Sequence, residues 1–297
     1  RFIMMNMDPS QTLAPVDMNS LTQADKWILS KVNTLTKDVT ENMESYELGI
    51  AVQKIYDFIW EEFCDWYIEM VKPRLYKDED QTKAAALWTL KTVLIDSLKL
   101  LHPYMPFITE EIFCTLQEKE ESIMVSNWPI YKEELNFIAD EEAVEVIKTA
   151  VKGIRNVRAE MNVPPSKKAT VIVVSENEKI RTIFMDSKVF FATLGYASEV
   201  LIQADKTEVP EDAVSTVISE AIIYMPFAEL VDIEKEIERL EKEKIRLEGE
   251  LKRVKGMFGN EKFVSKAPEE KINEEKAKLL KYTNMMEQVT ERINQLR

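Results

Sequence analysis

The chain has only two cysteines, Cys64 and Cys114, and they lie too far apart to be read as a pair. Neither a disulfide framework nor a C-x-x-C zinc half-site can be written from them, and a reducing compartment fits. One histidine, His102, stands directly before Pro103 at the end of a helical pattern, where capping or packing explains it. With 6 glycines there is no glycine-rich phosphate loop, and no Ser/His/Asp or Cys/His order finds a sensible partner. Catalysis by this chain alone is not expected, and neither is a bound metal or cofactor. No apolar run approaches the roughly 18 residues of a membrane span, and no signal pattern stands at the front, so a soluble cytoplasmic protein is expected. The start, RFIMMN, has no initiator Met and reads as a longer polypeptide entered in mid-course.

Basic charge is also scarce: 39 Lys and Arg stand against 53 Asp and Glu, for a net charge of −14. That balance argues against a polyanion-binding surface spread over the whole molecule, but not against a local one. Residues 229–297 carry 16 basic and 16 acidic side chains, so the whole deficit falls in residues 1–228. Between 244 and 266, seven basic residues (Lys244, Arg246, Lys252, Arg253, Lys255, Lys262, Lys266) face three acidic ones. Screening cuts off acidic groups more than about 8–10 Å away, so the local excess decides where a phosphate backbone docks. Solvation of an exposed hairpin tip is the bland account of such charges, but seven within 23 residues exceed what solubility needs, and nucleic-acid contact is the favoured reading. An apolar content of 45% is ample for a core and excludes disorder over most of the length.

Periodicity divides the chain into three. In residues 1–136, apolar side chains recur at helical steps: Ile28, Val32, Leu35 and Val39 after a cap at Thr22; then Leu48 to Met70, ending near Pro73; then Ala84 to Leu101. A short helix opens near Pro106 or Thr109, and an antiparallel bundle follows. Trp60, Phe63, Trp66 and Tyr67 sit at helical spacing and read as core. Residues 137–228 begin with a helix to Met161. Three apolar runs follow, ATVIVV (169–174), YASEVLI (196–202) and AIIYMPF (221–227), with helical residues between the first two. This predicts a small α/β domain of three strands with helices on one face. In residues 229–297 the heptad pattern Leu230, Ile233, Ile237, Leu240, Lys244, Leu247, Leu251, Val254, Phe258 is followed, past a turn, by Leu279, Tyr282, Met286, Val289, Ile293, Leu296. An antiparallel coiled-coil hairpin with arms roughly 40 Å long is expected.

Trp27 falls about 100° from the Ile28/Val32/Leu35 stripe, between Lys26 and Lys31. An exposed ring between ammonium groups suits a stacked base with neutralised phosphates. A ring that merely widens the apolar stripe accounts for it equally well.

The segments FCDWYIEMVKPRLY, LHPYMPFITEEIF followed by NWP (127–129), RAEMNVPPSKK and FVSKAPEEKI, in this order over essentially the whole chain, resemble the C-terminal region of bacterial valyl-tRNA synthetases. The isoleucyl and leucyl families fit less well: isoleucyl enzymes often end in a cysteine-rich zinc module, and neither family is known for a terminal heptad hairpin. The resemblance implies a mainly α protein with an anticodon-binding bundle (1–136), an α/β connector (137–228) and a coiled-coil arm (229–297) against the tRNA elbow. It implies valine tRNA and an N-terminal catalytic domain as partners, and a monomer. ATP and valine would be handled by the absent HIGH- and KMSKS-type catalytic region. Carried over, Arg1, Phe2, Asp25, Lys26 and Trp27 match the part that reads the anticodon, with Lys31 as a weaker addition. In the arm, Arg253, Lys255, Lys262 and Lys266 would meet elbow phosphates, and Phe263 would either stack on a nucleotide or staple the turn. A helical protein-docking scaffold without RNA binding is the alternative.

Overall fold

The computed structural model describes residues 1–7, 16–77, 79–116, 122–230, 233–259 and 269–296. A short helix α1 (Phe2–Asn6) leads to the long α2 (Gln23–Glu44), which opens at Thr22 as its sequence predicts. After a turn at Ser45–Glu47 come α3 (Leu48–Asp57), a ten-residue π-helical segment (Phe58–Tyr67) and α4 (Ile68–Leu75). The wider π turn is the main departure from the expected helix. It brings residues five apart into line, and Phe58 stacks on Phe63, itself stacked on Tyr67, at centroid distances of 6.5 and 6.1 Å. Helices α5 (Lys83–Leu101) and α6 (Pro106–Leu116) complete the bundle.

Helix α7 (Ile138–Glu160) packs along α2 on one side and against strand β3 on the other. It therefore joins bundle and sheet, and one buried core runs from Ile3 to Leu230. The sheet has four strands, not three: β1 (Ala169–Val174), β2 (Ala197–Gln203), β3 (Val214–Ile218) and β4 (Ala221–Met225), in the order β2-β1-β4-β3. β1 and β2 are parallel, joined through α8 (Glu178–Asp186) and α9 (Lys188–Leu194); β3 and β4 form an antiparallel hairpin. β3 is an edge strand whose side chains are at most half-buried, so its apolar signal is weak. On β1, Val171 and Val173 enter the main core, while Ile172 and Val174 pack with Tyr224 on the other face, the period-2 alternation of a strand.

A short helix α10 (Phe227–Leu230) precedes the hairpin helices α11 (Ile233–Phe258) and α12 (Glu269–Leu296), which pack against each other. Leu240, Leu247 and Val254, each seven residues apart, are buried, as is Ile293 from the facing helix. This is the seam that the heptads predict. Glu275 is buried there too, with Lys278 donating to it at 2.7 Å.

Candidate nucleic-acid interface

The start of α2 is built around a carboxylate. Asp25 accepts from Thr22 N (2.9 Å) and Thr22 Oγ1 (2.8 Å), holding the first turn as an N-terminal acid does. It also accepts from Tyr67 Oη (2.6 Å) and, from both guanidinium ends, Arg74 Nη1 (2.7 Å) and Nη2 (2.9 Å). Arg74 is fixed in turn through Nε to Thr82 Oγ1 and Nη2 to Thr82 O, each at 2.8 Å. Burial works against the Arg74 charge, but the hydrogen bond and charge of Asp25 outweigh it, and its pKa ends above the usual arginine value. Burial, and then the Asp25 charge, push the Tyr67 phenol well above the ordinary tyrosine range. Asp25 is wholly buried with both oxygens engaged, so no base can reach it; its expected place in the anticodon site is corrected to that of an internal brace.

Trp27 requires the same correction. Its exposure is 0%, and a ring without free surface cannot stack on a base; of the two readings the sequence left open, the apolar one holds. The cation over it is not the expected one. Lys148, from α7, places Nζ 5.3 Å from the Trp27 ring centre and 5.7 Å from that of Trp66, and is itself held by Glu62 (2.7 Å) and Glu145 (2.9 Å). Lys26 is half-buried with Nζ 6.0 Å over the Phe137 ring, and Lys31 forms an ion pair with Glu141 at 3.1 Å. Burial alone would lower the Lys31 pKa; its hydrogen bond to Glu141 and the charges of Glu141, Glu145 and Glu62 together more than reverse this. Arg1 is exposed at the head of α1, and Phe2 lies half-buried beneath Lys72 Nζ at 5.7 Å.

A basic spot that the sequence reading missed lies beside Lys148. Lys152 Nζ and Arg155 Cζ stand 5.9 and 5.7 Å from the Trp66 ring centre, with both side chains exposed. Arg155 is oriented by its Nε hydrogen bond to Leu194 O at 2.9 Å. Lys148, Lys152 and Arg155 follow the i, i+4, i+7 spacing of one helix face, a stripe visible in the sequence; the aromatic platform under it comes from the π segment and is not. Near the same end of α2, a cleft of about 430 Å³ opens between Thr22, Met70, Arg74, Lys77 and Phe190.

On the arm, Arg253 is exposed and tied to Glu250 at 2.9 Å, which raises its pKa. Lys252 and Lys255 are exposed and form no ion pair among the described residues. Lys262, Phe263 and Lys266 lie outside the described residues. Among the described residues there is no cluster of side chains that could hold a metal ion, and no helix long and apolar enough to cross a membrane.

The architecture is a helical bundle joined through a small mixed sheet to a cation-bearing helical hairpin. Residues 25–173 match the family described as the anticodon-binding domain of tRNA ligase, and the chain belongs to that family. Residues 232–297 match the valyl tRNA synthetase tRNA binding arm. The chain is 51% identical over 297 residues to the valine–tRNA ligase of Clostridium tetani, covering all of this chain and 34% of that protein. It is 49% identical over 296 residues to that of Clostridium perfringens and 37% over 298 to that of Geobacillus stearothermophilus, again with all of this chain and 34% of each relative covered. The chain thus spans about a third of the length of these relatives.

Proposed function

We propose that the chain is the tRNA-recognition part of a valine–tRNA ligase, its bundle receiving the anticodon stem-loop of valine tRNA and its arm lying against the tRNA elbow. The observation that supports this best is the order of two matches in one chain, an anticodon-binding domain followed by a valyl-specific tRNA-binding arm. On this reading ATP, valine and the transfer reaction belong to cytoplasmic polypeptide outside these residues, and the chain acts as a monomer. With Asp25 and Trp27 internal, contact on the bundle falls to Arg1, Phe2 and Lys26, joined by Lys152 and Arg155. On the arm it falls to Lys252, Arg253, Lys255, Lys262 and Lys266.

Fluorescence anisotropy with valine tRNA tests the reading. Binding should weaken as salt rises, because each neutralised phosphate releases counterions. Lys262→Glu/Lys266→Glu should weaken it for every tRNA. No binding at low salt would overturn the reading in favour of a protein-docking scaffold.

A further inference from the structure

The two ends of the bundle differ in chemistry. From Gln23 to Glu44, α2 spans about 33 Å. Its first turn lies beside the brace and the basic spot; its last turn lies at an apolar end. There the head of α3 exposes Leu48 and Ile50, the α5–α6 turn exposes Met105, the head of α6 exposes Phe107, and the short 3-10 turn Ile123–Val125 exposes Met124 and Val125. Phe107 is 91% exposed and Met124 73%.

These side chains are presented by a fixed frame. Tyr104 Oη donates to Leu48 O at 3.0 Å, tying the α5–α6 turn to the head of α3. His102 contacts Thr109 Oγ1 through Nδ1 (2.7 Å) and Met124 Sδ through Nε2 (2.9 Å). Glu110 Oε2 accepts from Ser122 Oγ (3.1 Å) and Ile123 N (3.0 Å), holding the 3-10 turn onto α6. Three separate segments are thereby cross-linked, and each exposes apolar side chains. An apolar patch on a framed, hydrogen-bonded end of a strongly acidic molecule marks a contact surface. It does not suit phosphates, and the candidate RNA contacts lie at the other end of α2.

We infer that this end of the bundle is the docking face for the remaining polypeptide of the full-length ligase. The relatives are about three times as long as this chain, so most of such a protein lies outside these residues and must rest on some part of their surface. A largely apolar contact is what fixes one domain against another. The inference rests on the reading of the chain as part of a valine–tRNA ligase.

The test is methionine oxidation by hydrogen peroxide, followed at Met105 and Met124 with Met185, exposed on α8, as the internal reference. In the full-length protein Met105 and Met124 should oxidise severalfold more slowly, relative to Met185, than in the 297-residue chain. Phe107→Asp, at a side chain too exposed to unfold the bundle, should restore their rates. Equal rates in the two forms would overturn the inference. So would protection already present in the 297-residue chain that grows with concentration and is lost with Phe107→Asp, since a second copy would then cover the face. Valine tRNA binding by the Phe107→Asp chain should stay at the wild-type level. Absence of tRNA binding by the wild-type chain would remove the tRNA reading and leave the footprint result standing.

Discussion

Arg74 meets Asp25 with both ends of its guanidinium, at 2.7 and 2.9 Å, and Asp25 is completely buried. Replacing one member of such a pair leaves the other charged, buried and unpaired, a loss of about 3–5 kcal/mol. Asp25→Ala also removes the acceptor of the Tyr67 hydroxyl and of the backbone N–H of Thr22. Urea unfolding should show a loss in this range, with Asp25→Ala/Arg74→Met recovering part of it. A loss below about 1 kcal/mol, the scale of an exposed pair, would show that the brace is not the support described.

Stability also depends on pH through Asp96. Burial pushes the Asp96 carboxyl up to about 6, and the positive charges of Lys99 and Lys132 only partly oppose this. A carboxyl with a raised native pKa binds its proton more tightly folded than unfolded. Its contribution is complete below the unfolded value near 4 and is lost as pH rises through about 6, by up to roughly 3 kcal/mol. Asp96→Asn cannot ionise, so it should be more stable than the parent at pH 7, and the two should converge near pH 4. Parallel stability curves across that window would refute the assignment.

Much of this arrangement was legible beforehand, and the two misplaced site residues of α2 share one cause. Thr22 as a helix start and the seven-residue spacing of Leu240, Leu247 and Val254 are local signals, and both appear where the periodicity puts them. Trp27 looked available to RNA because its own helix leaves it off the apolar stripe, and Asp25 because the family resemblance put it in the part that reads the anticodon. What covers Trp27 is Lys148 on α7, and what engages Asp25 is Arg74 on α4. Neither partner can be placed without the tertiary fold. The π turn at Phe58–Tyr67 escaped for another reason: its aromatics repeat at spacings that an α-helix also accommodates. The mixed sheet lost its edge strand β3 because VSTVI is half exposed.

Gly153 is where α7 crosses β3. A Cβ there would stand 2.7 Å from Thr216 Oγ1 and 3.0 Å from Thr216 Cγ2. Gly153→Ala should therefore lower the melting temperature, because overpacking of about 1–3 kcal/mol outweighs the gain of about 1 kcal/mol in helix propensity. Thr216→Ala removes both clashing atoms, so the double variant should regain what the single one lost. A stabilised Gly153→Ala would mean that α7 and β3 pack less closely than these distances imply.

Lys152 and Arg155 flank the Trp66 ring on the exposed face of α7, and Arg155 is steadied by Leu194 O. Neither cation forms an ion pair among the described residues, whereas Lys148 below them is neutralised by Glu62 and Glu145. Cations held over an aromatic surface and left without carboxylate partners are placed for phosphates. If each meets one phosphate of bound tRNA, Lys152→Ala/Arg155→Ala should lessen the slope of log K against log salt by about 1–2 and weaken valine and non-valine tRNAs alike. Lys152→Arg/Arg155→Lys should keep most of the slope, since charge matters more there than shape. Anisotropy titrations over a salt series read both effects. An unchanged slope in the alanine variant, with its thermal melt also unchanged, would assign the spot to packing of α7 over Trp66 and leave RNA contact on the bundle to Arg1, Phe2 and Lys26.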